Sequence, residues 1–233
     1  QVDWTCSAAT TVIVAAGTRF RDTTNSKTFQ FATAQTVDIT ASGANGLDAG
    51  SEGANKWYAI VGIGDSSGVL TTKGMFVEAA NYAGSITLPS GYDMYKRIGW
   101  IRNDGSSDFF QGEYYDDQFY FEDIQSVLNS GSSGSFAAVS CTSFMPPTAR
   151  TLHVSADASA SGAYTIDVRV TGNGTSTGLR VVEGNTGGLD SPPNWVYLRT
   201  DSSQSFDYKV TSGSSPVVDF DIVGYIDTLE NDS

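Results

Sequence analysis

Hydrolysis by a serine or cysteine triad needs a histidine to carry the nucleophile's proton, and the chain has one, His153. It lies in RTLHVSADAS between Leu152 and Val154. Alternation there places it on the polar, solvent-facing side of a strand rather than beside a nucleophile. A glycosidase instead sets two carboxylates on either side of the bond it cuts. EYYDDQFYFED, residues 113–123, offers Glu113, Asp116, Asp117, Glu122 and Asp123 among aromatic rings. Acids beside aromatics suit a sugar site, but a strand with one core face has the same letters, and catalysis would require convergence across strands. Sugar binding without hydrolysis needs only exposed rings that stack on a pyranose. The candidates are Tyr114, Tyr115 and Tyr120 in this stretch and Trp195 and Tyr197 in NWVYLRT, where alternation puts both rings on one face, either inner or outer.

Two further stretches carry the letters of ligand sites. NDGSSD, residues 103–108, holds Asn103, Asp104 and Asp108 around a glycine, but it lacks the repeated oxygen ligands and closing Glu of a calcium loop. Asn and Asp before Gly are hairpin-turn residues. GIGDSSG, residues 62–68, lacks the glycine spacing and the following helix of a dinucleotide site, and also reads as a turn. The expectation is therefore a protein that is not an enzyme, with no catalytic set, no metal and no cofactor. Cys6 and Cys141 are far apart in sequence and read as two free, buried thiols.

The chain has 233 residues, with 26 acidic against 13 basic and a net charge of −13. Nucleic-acid binding draws on clustered cations that neutralise phosphates, so this balance argues against a nucleic-acid partner and against adhesion to an anionic membrane. It favours a soluble surface.

The elements that must position these residues are short alternating runs between Gly, Asn, Asp and Ser clusters, the pattern of strands. In WYAIVGI, Trp57, Ala59, Val61 and Ile63 share one face and Tyr58 and Ile60 the other, as in a central strand covered on both sides. The fold class expected is all-β: two antiparallel β-sandwich or jelly-roll-like domains with one short connecting helix. That helix is read at residues 121–131, where Phe121, Ile124, Val127 and Leu128 recur at helical spacing and Gly131 supplies a C-terminal cap. SGSSGS, residues 130–135, has the composition of a flexible linker. The expected division is residues 1–129, a linker at 130–135, and residues 136–233. The expected cores are Trp57, Ile60, Ile98 and Trp100 in the first domain. In the second they are Leu152, Ile166, Val168, Phe206, Tyr208, Phe220 and Ile222.

LPSGYDMYKRIGWIRNDG, residues 88–105, poses the choice between a site rim and a structural corner. Pro89 and Gly91 bracket a tight turn, and Tyr92 packs its ring while its hydroxyl reaches backbone. From there the chain alternates as a strand, with Tyr95, Arg97, Gly99 and Ile101 on one face and Lys96, Ile98 and Trp100 on the other. Gly99 marks a bulge or a close backbone approach, and Trp100 reads as a core anchor. Three segments together resemble a module of tailed-bacteriophage virion proteins: Gly17 to Asp22 (GTRFRD), Gly46 to Trp57 (GLDAGSEGANKW) and Leu88 to Gly99 (LPSGYDMYKRIG). The resemblance covers roughly residues 10–115, and Lys96 stands where the family often has Arg. It carries no catalytic residue set. It implies a non-enzymatic structural protein on the exterior of the phage particle, a tail-fibre or other appendage subunit, forming a homotrimer and touching other virion proteins. A capsid decoration protein is the alternative within that class. A module that adheres to host surface glycan is the alternative from another class.

Overall fold

The computed structural model describes residues 2–24, 26–84, 86–160, 163–174, 178–184, 191–211 and 216–228. The chain is all-β, with every named strand pair antiparallel. It divides into two compact units, one of Gln1–Glu122 with Asp227–Ser233 and one of Asp123–Ile226.

The first unit holds β1 (Asp3–Cys6), β2 (Thr11–Val14), β3 (Arg19–Arg21), β4 (Thr28–Gln30), β5 (Gln35–Asp38), β6 (Trp57–Gly64), β7 (Lys73–Glu78), a one-turn helix α1 (Ala79–Tyr82), β8 (Met94–Arg102) and β9 (Gly112–Tyr115), and it takes in the start of β10 (Gln118–Gly131). Within it, β10, β9, β1, β2 and β5 follow one another across one sheet, β7-β6-β8 form a second and β3-β4 a ribbon. The alternation of WYAIVGI is borne out. Ala59, Val61 and Ile63 join Met75, Val77 and Trp100 in one buried cluster, while Tyr58 and Ile60 are buried on the opposite face. Of the core expected here, Ile60, Ile98 and Trp100 are buried, and Trp57 is half-buried against the cluster.

Where the two sheets of this unit meet, Gly99 permits the contact. A Cβ there would come within 2.4 Å of the Trp4 indole nitrogen. The Trp4 ring lies parallel to Tyr114 at 5.3 Å and packs on Phe119 at the same distance, and its N–H donates to the Ile98 carbonyl at 3.2 Å. Each such aromatic pair adds about 0.5–1.5 kcal/mol beyond the area it buries. The pairing of β8 with β6 also slips by one residue between Gly99 and Arg97, so both readings of Gly99 apply. That bulge corrects the expected alternation: Tyr95 packs on the same cluster as Trp100, because the extra residue reverses the facing of everything before it.

The second unit contains the rest of β10, then β11 (Ala137–Ser140), β12 (Thr151–Ser159), β13 (Tyr164–Val170), β14 (Leu179–Gly184), β15 (Ser191–Arg199), β16 (Ser205–Thr211) and β17 (Val217–Ile226). One sheet has the order β15-β12-β17-β10 and the other β11-β16-β13-β14. Of eight successive strands, the first thus neighbours the last, the second the seventh, the third the sixth and the fourth the fifth. This is a long hairpin rolled into two sheets, the jelly-roll order. All seven expected core residues are buried, and Phe206 meets Phe220 edge to face at 5.2 Å.

Two expectations give way at the junction. Residues 121–131 are strand, not a connecting helix, and the one helix among the described residues is α1. Phe119 and Phe121, two apart, pair with Tyr114 and Gly112 of β9, and this period-two burial overrides the helical spacing of the residues that follow. Residues 130–135 lie inside the second unit rather than between units. Gly131 is buried against Tyr208, and Ser133 accepts a hydrogen bond from the Val210 amide at 2.8 Å. The division falls instead between Glu122 and Asp123, where the chain crosses as continuous strand.

Candidate functional site

The 88–105 stretch is a corner. The Tyr92 amide donates to the Pro89 carbonyl at 3.1 Å, closing a turn whose third residue, Gly91, has φ +87°, a value that favours glycine. The Tyr92 hydroxyl donates to the Thr71 carbonyl at 3.0 Å. Arg97 is fully buried and forms an ion pair with the equally buried Asp227, its guanidinium 5.4 Å from the Trp100 ring centre. Asp227 is further held by its amide donating to the Asp117 carbonyl at 2.9 Å and by the Tyr114 hydroxyl donating to its carbonyl at 3.0 Å. Burial pushes the Tyr114 hydroxyl well above its ordinary pKa.

The acidic residues of the other turn stretches cap backbone. Asp65 accepts from the Ser67 hydroxyl and amide at 2.7 Å and from the Val69 and Leu70 amides at 2.9 Å. These bonds, the Ser67 hydroxyl's foremost, lower its pKa to about 2. Burial alone would raise Asp22, but bonds from Thr24, Ser26 and the Lys27 amide together outweigh it and hold the group far below the usual carboxylate range. Asp104 accepts from the Ser106 amide at 2.7 Å and the Asp108 amide at 3.0 Å, as a hairpin turn requires. Cys6 and Cys141 are free and buried, and burial pushes both thiols up to about 12, so they stay protonated at neutral pH.

Among the expected carboxylates, Asp116 and Asp117 both have positive φ, 51° and 67°. They form the two-residue turn that joins β9 to β10. Glu113 and Glu122 line an open depression of about 400 Å³ with Thr5, Ser7 and Tyr120.

The expected stacking aromatics separate. Tyr114 is a correction: it is 1% exposed, sandwiched against Trp4, and has no face for a sugar. Tyr115 and Tyr120 are exposed on the first unit. Trp195 and Tyr197 are 59% and 51% exposed, so NWVYLRT turns both rings outward and Leu198 inward. Register explains the facing: Tyr197 lies opposite His153 and Trp195 opposite Ser155, while inward Leu198 lies opposite inward Leu152.

His153 lies on this outward face, as the alternation implied. It does not stand free in solvent but stacks on Tyr197, ring centres 4.7 Å apart and planes 20° from parallel, with Trp195 tilted at 5.4 Å. Burial lowers its pKa, so it is held neutral. Beside this cluster, Tyr197 and Arg199 line a cavity of about 230 Å³ with Arg169 and Leu179. Arg199 was not singled out in the sequence; its position two after Tyr197, on the same face of the strand, was the available signal. The chain matches no family model, no curated protein and no solved structure.

Proposed function

We propose that the protein is a non-enzymatic structural subunit of a tailed-phage virion, carried on the particle exterior in a tail fibre or similar appendage, with the homotrimer as its assembly. The observation that carries this reading is the use made of the residues on which the resemblance rests. Asp22 ties its turn, Leu47 is buried, Gly91 and Tyr92 form a corner, Arg97 neutralises Asp227 and Gly99 admits Trp4. All serve architecture. The titratable groups point the same way, with Asp65 and Asp104 capping turns, the thiols protonated and His153 stacked in neutral form. Immunogold labelling of intact particles with antibody to the second unit is expected to mark a tail appendage. Label spread over the capsid shell would replace this reading with a decoration protein, and unlabelled particles would remove both.

A second reading, adhesion to host surface glycan, is favoured by one observation: the exposed Trp195 and Tyr197 rings side by side on a strand of the jelly roll. An adhesive appendage subunit would satisfy both readings.

A further inference from the structure

The outward line of β15 is Trp195, Tyr197, Arg199, at alternate positions of a strand that ends its sheet. The line spans about 14 Å from first to last residue, at about 3.4 Å per residue, longer than one pyranose ring. Its neighbours on the same face are mostly polar, with Ile226 the aliphatic exception beyond Thr151. Ser155 lies opposite Trp195, with Asp221 beyond it on β17, and Thr151 lies opposite Arg199. Exposed rings edged by hydroxyl, carboxylate and guanidinium do not make the contiguous apolar patch of a protein interface. They match a sugar, whose C–H face stacks on an aromatic ring while its rim of hydroxyls donates and accepts hydrogen bonds.

The cation narrows the class. Arg169, in the adjoining cavity, is compensated by Asp207 at 2.9 Å. Arg199 is exposed and makes no ion pair among the described residues. In a chain with twice as many acidic as basic residues, an exposed guanidinium without an ion pair among the described residues, in line with two exposed rings, has a planar anion as its complement, and a carboxylate fits its paired donors.

We propose that the second unit binds a carboxylate-bearing glycan along β15, with pyranose rings on Trp195 and Tyr197 and a sugar carboxylate on Arg199. His153 is a positioning residue that backs the Tyr197 ring. The proposal rests on the adhesion reading and sharpens it.

The test uses the full chain on immobilised uronic-acid oligosaccharides and sialylated glycans, each beside its carboxyl-reduced counterpart. Acidic glycans are expected to bind at least about tenfold more tightly than their reduced forms, as a charge-assisted hydrogen bond implies, and binding should weaken as salt rises. The preferred arm identifies the source of the carboxylate. Arg199→Gln should abolish the preference while leaving residual binding, and Trp195→Ala should lose binding to every arm, both at unchanged melting temperature. Equal binding to acidic and reduced glycans, sensitive to Trp195→Ala, would overturn the proposal and leave adhesion standing. No binding to any arm would overturn both. Wild-type self-association abolished by Trp195→Ala, seen in sedimentation, would assign the face to a second copy of the chain instead.

Discussion

Arg97 and Asp227, 130 positions apart, meet with no exposure on either side chain. Removing one partner strands the other charge in a dry site, at a cost of about 3–5 kcal/mol, whereas replacing both with apolar groups of similar volume is often neutral or stabilising. Asp227→Ala should therefore lower unfolding stability by about that amount in urea titrations, and Arg97→Met with Asp227→Leu should recover most of it. A single variant indistinguishable from the parent would show that the pair does not hold Asp227 in place. The basic pair Lys96–Arg97 was plain in the sequence, but its partner was not, because nothing local marks an aspartate after the final strand as buried. Asp65 gives a prediction in pH. Its pKa falls from 3.8 to about 2 on folding, so its contribution is complete above the unfolded value and is lost as pH drops through the folded one. Asp65→Asn should melt lower at neutral pH and depend less on pH between about 4 and 2. An unchanged acid profile would mean that the turn does not need the charge.

Among the strands, the central position of β6, covered on both faces, was legible because alternation is local. Gly99 was legible for the same reason, as a glycine inside a run of side chains needs an explanation. Gly99→Ala should cost about 1–3 kcal/mol, the range for forcing an added methyl into a packed core, since the indole it meets is pinned between sheets. Thermal unfolding monitored by tryptophan fluorescence would show it, and a stability equal to the parent's would place slack around Trp4 that the packing does not have. The facing of β15 was not legible. NWVYLRT alternates equally well with its rings in or out, and only the register against β12, set by the distant Leu152–Leu198 pair, makes the choice. For the same reason Tyr114 was misread beside Tyr115. Neighbours on a strand face opposite ways, and the Trp4 partner that claims Tyr114 lies on β1. The supposed helix at 121–131 failed because its partner strands, β9 and β17, lie before it and far after it in the chain.

At the scale of the molecule, Gly and Ser runs suggested a linker where the chain passes from the first strand of the jelly roll to the second. This has a consequence for dissection. A fragment of residues 123–226 keeps all eight strands and should give a cooperative thermal transition. A fragment beginning at residue 136 lacks the β10 partner of β17 and should melt lower or remain unfolded by circular dichroism. Equal stability of the two fragments would remove β10 from the second unit. The jelly-roll order itself could be anticipated only in style, since strand count and spacing are readable but the nesting of first with last depends on long-range pairing. The role assigned to the whole chain, a structural part of a phage particle, rests on a resemblance whose residues build corners and cores. Quantitative mass spectrometry of purified particles tests it most directly. The account predicts the intact chain among the particle proteins at the low copy number of a tail appendage. Its absence from particles, when it is abundant in the infected cell, would contradict the account.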